Sequence, residues 1–182
     1  MISNEKIDQL LVGEQTEHKE TYPNLYIRHY LEQYRIYLRV LGNTAERRQQ
    51  SNEFFLGINT AIMAILGYIE TKEVAHSTTL IFTIVPFIGI VICRSWWQAM
   101  QSYRQLAKAK FRVIHRMERK LPAALFETEW EILGRGKKPS EYYPLSLVEK
   151  NVPLIFILLY LVIFFANSPF VNVIAPYFQA WK

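Results

Sequence analysis

Three stretches of this 182-residue chain carry no charge at all: residues 54–69, 80–93 and 152–167. Uncharged polar residues extend the second back to Ser77. A helix that crosses a bilayer needs about 20 apolar residues, with roughly 17 as the floor. Each run is slightly short, and flanking aromatics together with snorkelling bases such as Arg94 and Lys150 complete it. The competing reading is three buried helices of a soluble bundle. A helix apolar on every face must be covered by a large protein or by lipid, and so small a chain has little amphipathic helix left to cover three. The hydrophobic fraction of 51% against 20% charged residues excludes intrinsic disorder. The single cysteine, Cys93, excludes a disulfide scaffold. The first twenty residues are polar and acid-rich, so no cleavable signal peptide is expected.

Charge assigns the sides. Residues 94–151 hold 12 Lys/Arg against 6 Glu, whereas residues 1–53 hold 7 bases against 8 acids. Between the first two runs stand Glu70, Lys72 and Glu73. The positive-inside rule then places the N-terminus and the 94–151 segment in the cytoplasm, with the short loop and the C-terminus outside. The expected layout is a cytoplasmic N-terminal helical segment (1–53), spans at 54–69 and 77–93, a basic cytoplasmic helical domain (94–151), a third span at 152–167 and an interfacial tail (168–182). Within the first segment, Tyr22, Tyr26, Tyr30, Tyr34 and Tyr37 recur mostly four apart, which places them on one helical face. This helix is expected to pack at the membrane surface or between subunits. Gly42-Asn43 is expected to end this helix, and Thr44 to open the next. The second span should run without a break into a helix ending at Leu121-Pro122, and Pro122 should begin another. The loop 134–139 follows, then interfacial Tyr142, Tyr143 and Pro144.

Chemistry-bearing patterns are few. The four histidines are scattered, and no cluster has metal-ligand spacing. Gly134-Arg135-Gly136-Lys137 lacks the glycine spacing and the Ser/Thr of a P-loop. No nucleophile elbow exists. Arg112 and His115 stand three apart, as on a solvated basic face. The expectation is therefore no enzyme, no catalytic residue, no metal and no cofactor. Two other features stand out. Arg104, Lys108, Arg112, Arg116 and Lys120 form an i, i+4 stripe, joined by His115, that would attract anionic lipid, RNA or an acidic protein. Glu127, Glu129 and Glu131 could answer it from the same or an adjacent subunit. In the first span, Gly57, Thr60, Ala61, Ala64 and Gly67 recur at three- and four-residue spacing, which lets helices approach closely in lipid. Asn59 and Thr60 are polar at membrane depth, where such residues face a partner helix or a watery path.

From residue 103 onward the chain resembles a known family. The stretch 103–115 (YRQLAKAKFRVIH), Met117-Glu118, Leu121-Pro122-Ala123-Ala124, Glu127, Glu129-Trp130, Leu133-Gly134, Gly136-Lys137, Tyr143-Pro144-Leu145 and Val148-Glu149 are similar to those of the RipA-family octameric membrane proteins. These small bacterial inner-membrane proteins include the accessory membrane protein of type VI-B CRISPR systems. The likeness covers about the C-terminal 60% of the chain. It implies a homo-oligomer, an octameric ring with a central passage and a cytoplasmic helical vestibule. It implies membrane permeabilisation in antiphage defence in one branch, and a part in envelope function in another. A HEPN-like Arg-x₄₋₆-His pattern is ascribed to the family, but this sequence lacks that spacing, so nuclease activity is not carried over.

Together these readings give an all-α integral membrane protein with about three transmembrane helices plus cytoplasmic helices. It is expected in the bacterial inner membrane, N-terminus in and C-terminus periplasmic, with lipid and its own copies as partners. Gly57, Asn59, Thr60, Ala61, Ala64 and Gly67 would pack subunits or line a pore. The alternative is a non-conducting scaffold that recruits a cytoplasmic protein or RNA through the basic stripe.

Overall fold

A computed structural model describes residues 4–12, 23–71, 78–136, 149 and 151–167. Among them there are helices and turns, and no strand. In chain order the helices are α1 (Asn4–Val12), α2 (Pro23–Glu70), α3 (Thr78–Glu118), α4 (Leu125–Ile132) and α5 (Val152–Ala166), with a 3₁₀ turn at Gly134–Gly136. Tyr22, Lys137 to Pro144 and the tail 168–182 lie outside the described residues.

The chain divides into two compact units, one from residues 1–47 and 103–144, the other from 48–102 and 145–182. Both long helices contribute to both. The inward side of α3 follows a strict rhythm. Residues 82, 86, 89, 93, 96, 100, 103, 107, 110, 114 and 117 are all buried or half-buried, separated by four and three in alternation. A period of 3.5 residues is the repeat of a helix that keeps one seam against partner helices over a long distance. In the second unit α2 shows the same repeat at 48, 52, 55, 59, 62, 66 and 69.

Polar contacts fix the directions. In the first unit Tyr30 and Tyr34 of α2 meet Met117 and Glu118 of α3, and Tyr37 meets Lys110. In the second, Asn52 and Asn59 of α2 meet Trp96 and Cys93. Residues advance on α2 as they recede on α3, so the two helices are antiparallel in each unit. On α5, Glu149 (just before the helix) pairs with Arg48 and Tyr160 with Asn59, both at a sequence separation of 101. A constant offset means that α5 runs parallel to α2.

Two expectations are corrected. Gly42-Asn43 does not end a helix, because α2 is continuous across it. A helical glycine costs only about 1 kcal/mol against alanine, and Thr44 turns its hydroxyl back to the Val40 carbonyl at 2.8 Å, so nothing there compels a break. The last helix of the first unit starts at Leu125, not at Pro122. Ala124 supplies no side-chain cap. Instead Glu118, buried at the end of α3, accepts the backbone N–H groups of Phe126 and Glu127 at 3.0 and 3.1 Å. A carboxylate at a helix N-terminus satisfies orphan donors and meets the positive end of the dipole, so the helix begins where Glu118 can reach it. The tyrosine face of α2 packs inside the first unit. The Tyr30 hydroxyl donates to the Met117 carbonyl at 2.8 Å and the Tyr34 hydroxyl to Glu118 Oε1 at 2.9 Å.

Gly89 is set by Tyr160. A Cβ on Gly89 would stand 2.3 to 2.6 Å from three atoms of that ring. Gly42, by contrast, has nothing within 4 Å of where a Cβ would be. Gly89→Ala is expected to lower the thermal unfolding midpoint in detergent, while Gly42→Ala should stabilise by roughly 0.5–1 kcal/mol; destabilisation by the latter would mean that α2 is not helical there.

Burial, with the Glu118 hydrogen bond behind it, pushes the Tyr34 hydroxyl from its ordinary 10.0 up to about 12. Burial, with Tyr26 beside it, does the same to Tyr30. Each keeps its proton longer folded than unfolded, so this contribution to stability is whole below pH 10 and is lost as pH rises from 10 toward 12. Thermal midpoints followed across that window should fall, and Tyr34→Phe should flatten the fall.

Candidate functional site: a sealed polar seam and an open small-residue face

The second unit is polar at its centre and apolar on its surface. Asn59, fully buried, is the junction. Its Oδ1 accepts the Tyr160 hydroxyl at 3.0 Å and the Cys93 thiol at 3.1 Å, and its Nδ2 donates to the Phe55 carbonyl at 2.7 Å. Three helices therefore converge on one amide. About two turns back along α2, Asn52 Oδ1 accepts the Trp96 indole N–H at 3.0 Å. The same indole lies 6.0 Å from the Phe55 ring and 6.1 Å from that of Phe156. Arg48 and Glu149 close the row at 3.4 Å. Leu66, Phe82, Cys93 and Tyr160 form the apolar core around it.

The outward side is the reverse. Phe54, Ile65, Phe87, Ile155, Leu158, Val162 and Phe165 are all more than half exposed. In water such a surface would be an aggregation liability. Only 11% of the most apolar window of α2 is buried and 28% of that of α3, so neither is the covered core helix of a soluble protein. Both are long and apolar enough to cross a membrane. α5, with 15 residues, spans about 22 Å at 1.5 Å per residue, short of a hydrocarbon core of about 30 Å.

The six residues singled out in the first span fall on two sides. Gly57, Thr60, Ala61, Ala64 and Gly67 face outward and are exposed, and no atom lies within 4 Å of a Cβ placed on Gly57 or Gly67. Asn59 points the other way, into the seam, with its amide oxygen taken by two donors. It is thus a helix-joining residue within the subunit and does not share the small-residue face.

The basic stripe is partly spent within the first unit. Arg116 pairs with Asp8 of α1 at 3.1 Å, and the Lys120 ammonium stands 5.9 Å from the Tyr30 ring centre. Arg104 and Arg112 are half-buried and Lys108 is exposed. His115 is half-buried beside Phe111, with ring centres 6.3 Å apart, and its Nε2 has no hydrogen-bond partner among the described residues. Glu127 takes Arg119 at 3.1 Å, and Glu131 takes Arg135. Two of the three acids thus serve their own subunit. Among the described residues no group of His, Cys, Asp and Glu could hold a metal ion.

Residues 31–169 match the family model described as the Octameric membrane protein family (8xMP). The chain belongs to that family. Comparison with curated proteins and with solved structures returned no match. As a member of the octameric membrane protein family, the chain is a membrane-located homo-oligomer, in line with the resemblance drawn from residues 103–149. In such a protein the polar seam joins the helices of a subunit, and any contact between subunits must use what faces outward.

Asn52, Cys93, Trp96, Glu118 and Tyr160 were not singled out from the sequence. A signal was available for three of them. Asn52 and Asn59 are seven apart, and Cys93 and Trp96 are three apart, so each pair shares a face under a 3.5 repeat. Tyr160 and Glu118 become special only when another segment arrives. Asn59→Leu should orphan the Tyr160 hydroxyl and the Cys93 thiol and cost about 1–3 kcal/mol of stability, read as a lower unfolding midpoint in detergent. Cys93→Ala should cost less, because the Tyr160 bond survives.

Proposed function

We propose that eight copies form a ring in the bacterial inner membrane around a central passage, whose opening dissipates the membrane potential. The carrying observation is the polarity of the second unit. The polar groups of its seam are paired inside the subunit, so an ion path lies between subunits and not through one. The open face at Gly57, Thr60, Ala61, Ala64 and Gly67 supports close helix approach in lipid, where small residues let backbones pack. Thr60, the polar member of that outward face, is the residue we place nearest the passage.

The helix directions support three crossings, with α2 out, α3 back and α5 out again. The 12-to-6 excess of bases in 94–151 supports a cytoplasmic first unit. The arrangement suits an accessory role in antiviral defence, where an aqueous path removes the cost of desolvating ions. No reaction is assigned to any residue. The engagement of Arg116 and Lys120 within the subunit weakens the recruiting-scaffold reading, which relied on the whole stripe being open.

The test is reconstitution into liposomes holding a potassium gradient, with a potential-sensitive dye. Protein-dependent collapse of the potential is expected, absent from a heat-denatured control. Gly57→Leu with Ala61→Leu should abolish both the collapse and the octamer. A gradient that holds with an intact octamer would favour the scaffold.

A further inference from the structure

α4 turns one face outward. Leu125, Glu129 and Ile132 lie at i, i+4 and i+7 and are all exposed, Leu125 by 69% and Ile132 by 75%. The packed side of the helix is the other one. There Phe126 meets Phe111 with ring centres 6.2 Å apart, and Glu118 caps the first turn.

α2 turns out a second face in the same unit. Its tyrosine side is used on α3. On one flank away from it stand Leu25, His29, Ile36 and Val40, spaced four, seven and four apart, all exposed, the three apolar ones by 47%, 50% and 40%. Exposed Glu32, Arg39 and Arg47 border this flank. From Leu25 to Val40 it runs about 22 Å at 1.5 Å per residue, long enough to take the roughly 12 Å of α4.

This unit carries the charged segments of the chain, so these side chains are not explained by lipid. Large apolar residues ranged along single helix faces in water mark contact surfaces. A closed ring of more than two copies is built from two different faces of each copy. The faces differ in net charge, since apolar residues flank one acid, Glu129, on α4, while the α2 flank carries Arg39 and Arg47 against one acid, Glu32.

We propose that in the ring α4 of one subunit docks its Leu125/Glu129/Ile132 face on the Leu25/Ile36/Val40 flank of α2 in the neighbouring subunit. The occupant is a second copy of this chain because membership in an octameric family sets copies side by side and because the net charges of the two faces, one acid on α4 and two bases against one acid on α2, are of opposite sign. The inference rests on the ring reading above and adds a contact outside the apolar unit.

The test uses the full-length protein in the membranes of the cells that express it. Ile36→Cys and Ile132→Cys are combined in one chain, treated with a short bis-maleimide and run on a denaturing gel. Val40→Cys with Leu125→Cys is a second pair, so one unfavourable thiol geometry does not decide. A ladder of multimers rising to eight is expected from a double variant. Each single variant should stay monomeric, which also controls for Cys93, and two single variants co-expressed should stop at dimers. Single variants that cross-link to themselves indicate a two-fold contact and overturn the two-face arrangement. If neither pair cross-links although the native mass is octameric, the inference fails and the ring stands. A wild-type chain that is monomeric by native mass spectrometry overturns both.

Discussion

The amide oxygen of Asn59 is the point on which the membrane-facing unit depends. Packing apolar helices in lipid gives little preference for one axial register over another, because acyl chains are as apolar as leucine. A buried amide is different. Left unpaired in hydrocarbon it would cost several kcal/mol, so the register that brings Tyr160 and Cys93 to it is strongly selected. The Arg48–Glu149 pair agrees, since eleven residues on α2 from 48 to 59 match eleven from 149 to 160. Gly89 is the steric consequence. The Tyr160 ring lies where a side chain on α3 would otherwise be.

The other unit solves its assembly with a charge instead of an amide. Glu118 is buried, yet both of its oxygens are occupied, by the Tyr34 hydroxyl and by the first free N–H groups of α4. One residue thereby ends α3, anchors α2 and starts α4. A carboxylate is tolerated there because three donors and a helix dipole replace the water it lost. The two units thus use the same strategy, a single acceptor residue shared by several elements.

Membership in an octameric membrane family and an inward-turned polar seam bear on each other. A subunit that pairs its seam groups internally offers its neighbours outward-facing surface, of which two kinds stand out among the described residues. One is the small-residue face of α2 within the apolar unit, where Gly57 and Gly67 leave room for a backbone. The other is exposed apolar surface on amphipathic helices in the charged unit. The basic helix is less available than its sequence suggests, because α1 and the tyrosines of α2 already occupy part of it.

Uncharged runs, charge asymmetry and residue order were enough to establish a helical membrane protein of this family, because each depends on local composition alone. The uninterrupted passage from the second apolar run into the basic helix was equally legible, since no glycine or proline interrupts it. A break at Gly42-Asn43 and a start at Pro122 both followed from local propensity; the first cost too little to stop α2, and the second was overruled by the reach of Glu118. Only the tertiary structure could show that of Asn59 and Thr60, adjacent in sequence and about 100° apart around α2, the first is buried and the second exposed. Composition makes both polar residues at membrane depth, but which one is satisfied inside the subunit depends on where the hydroxyl of Tyr160 arrives, 101 residues away.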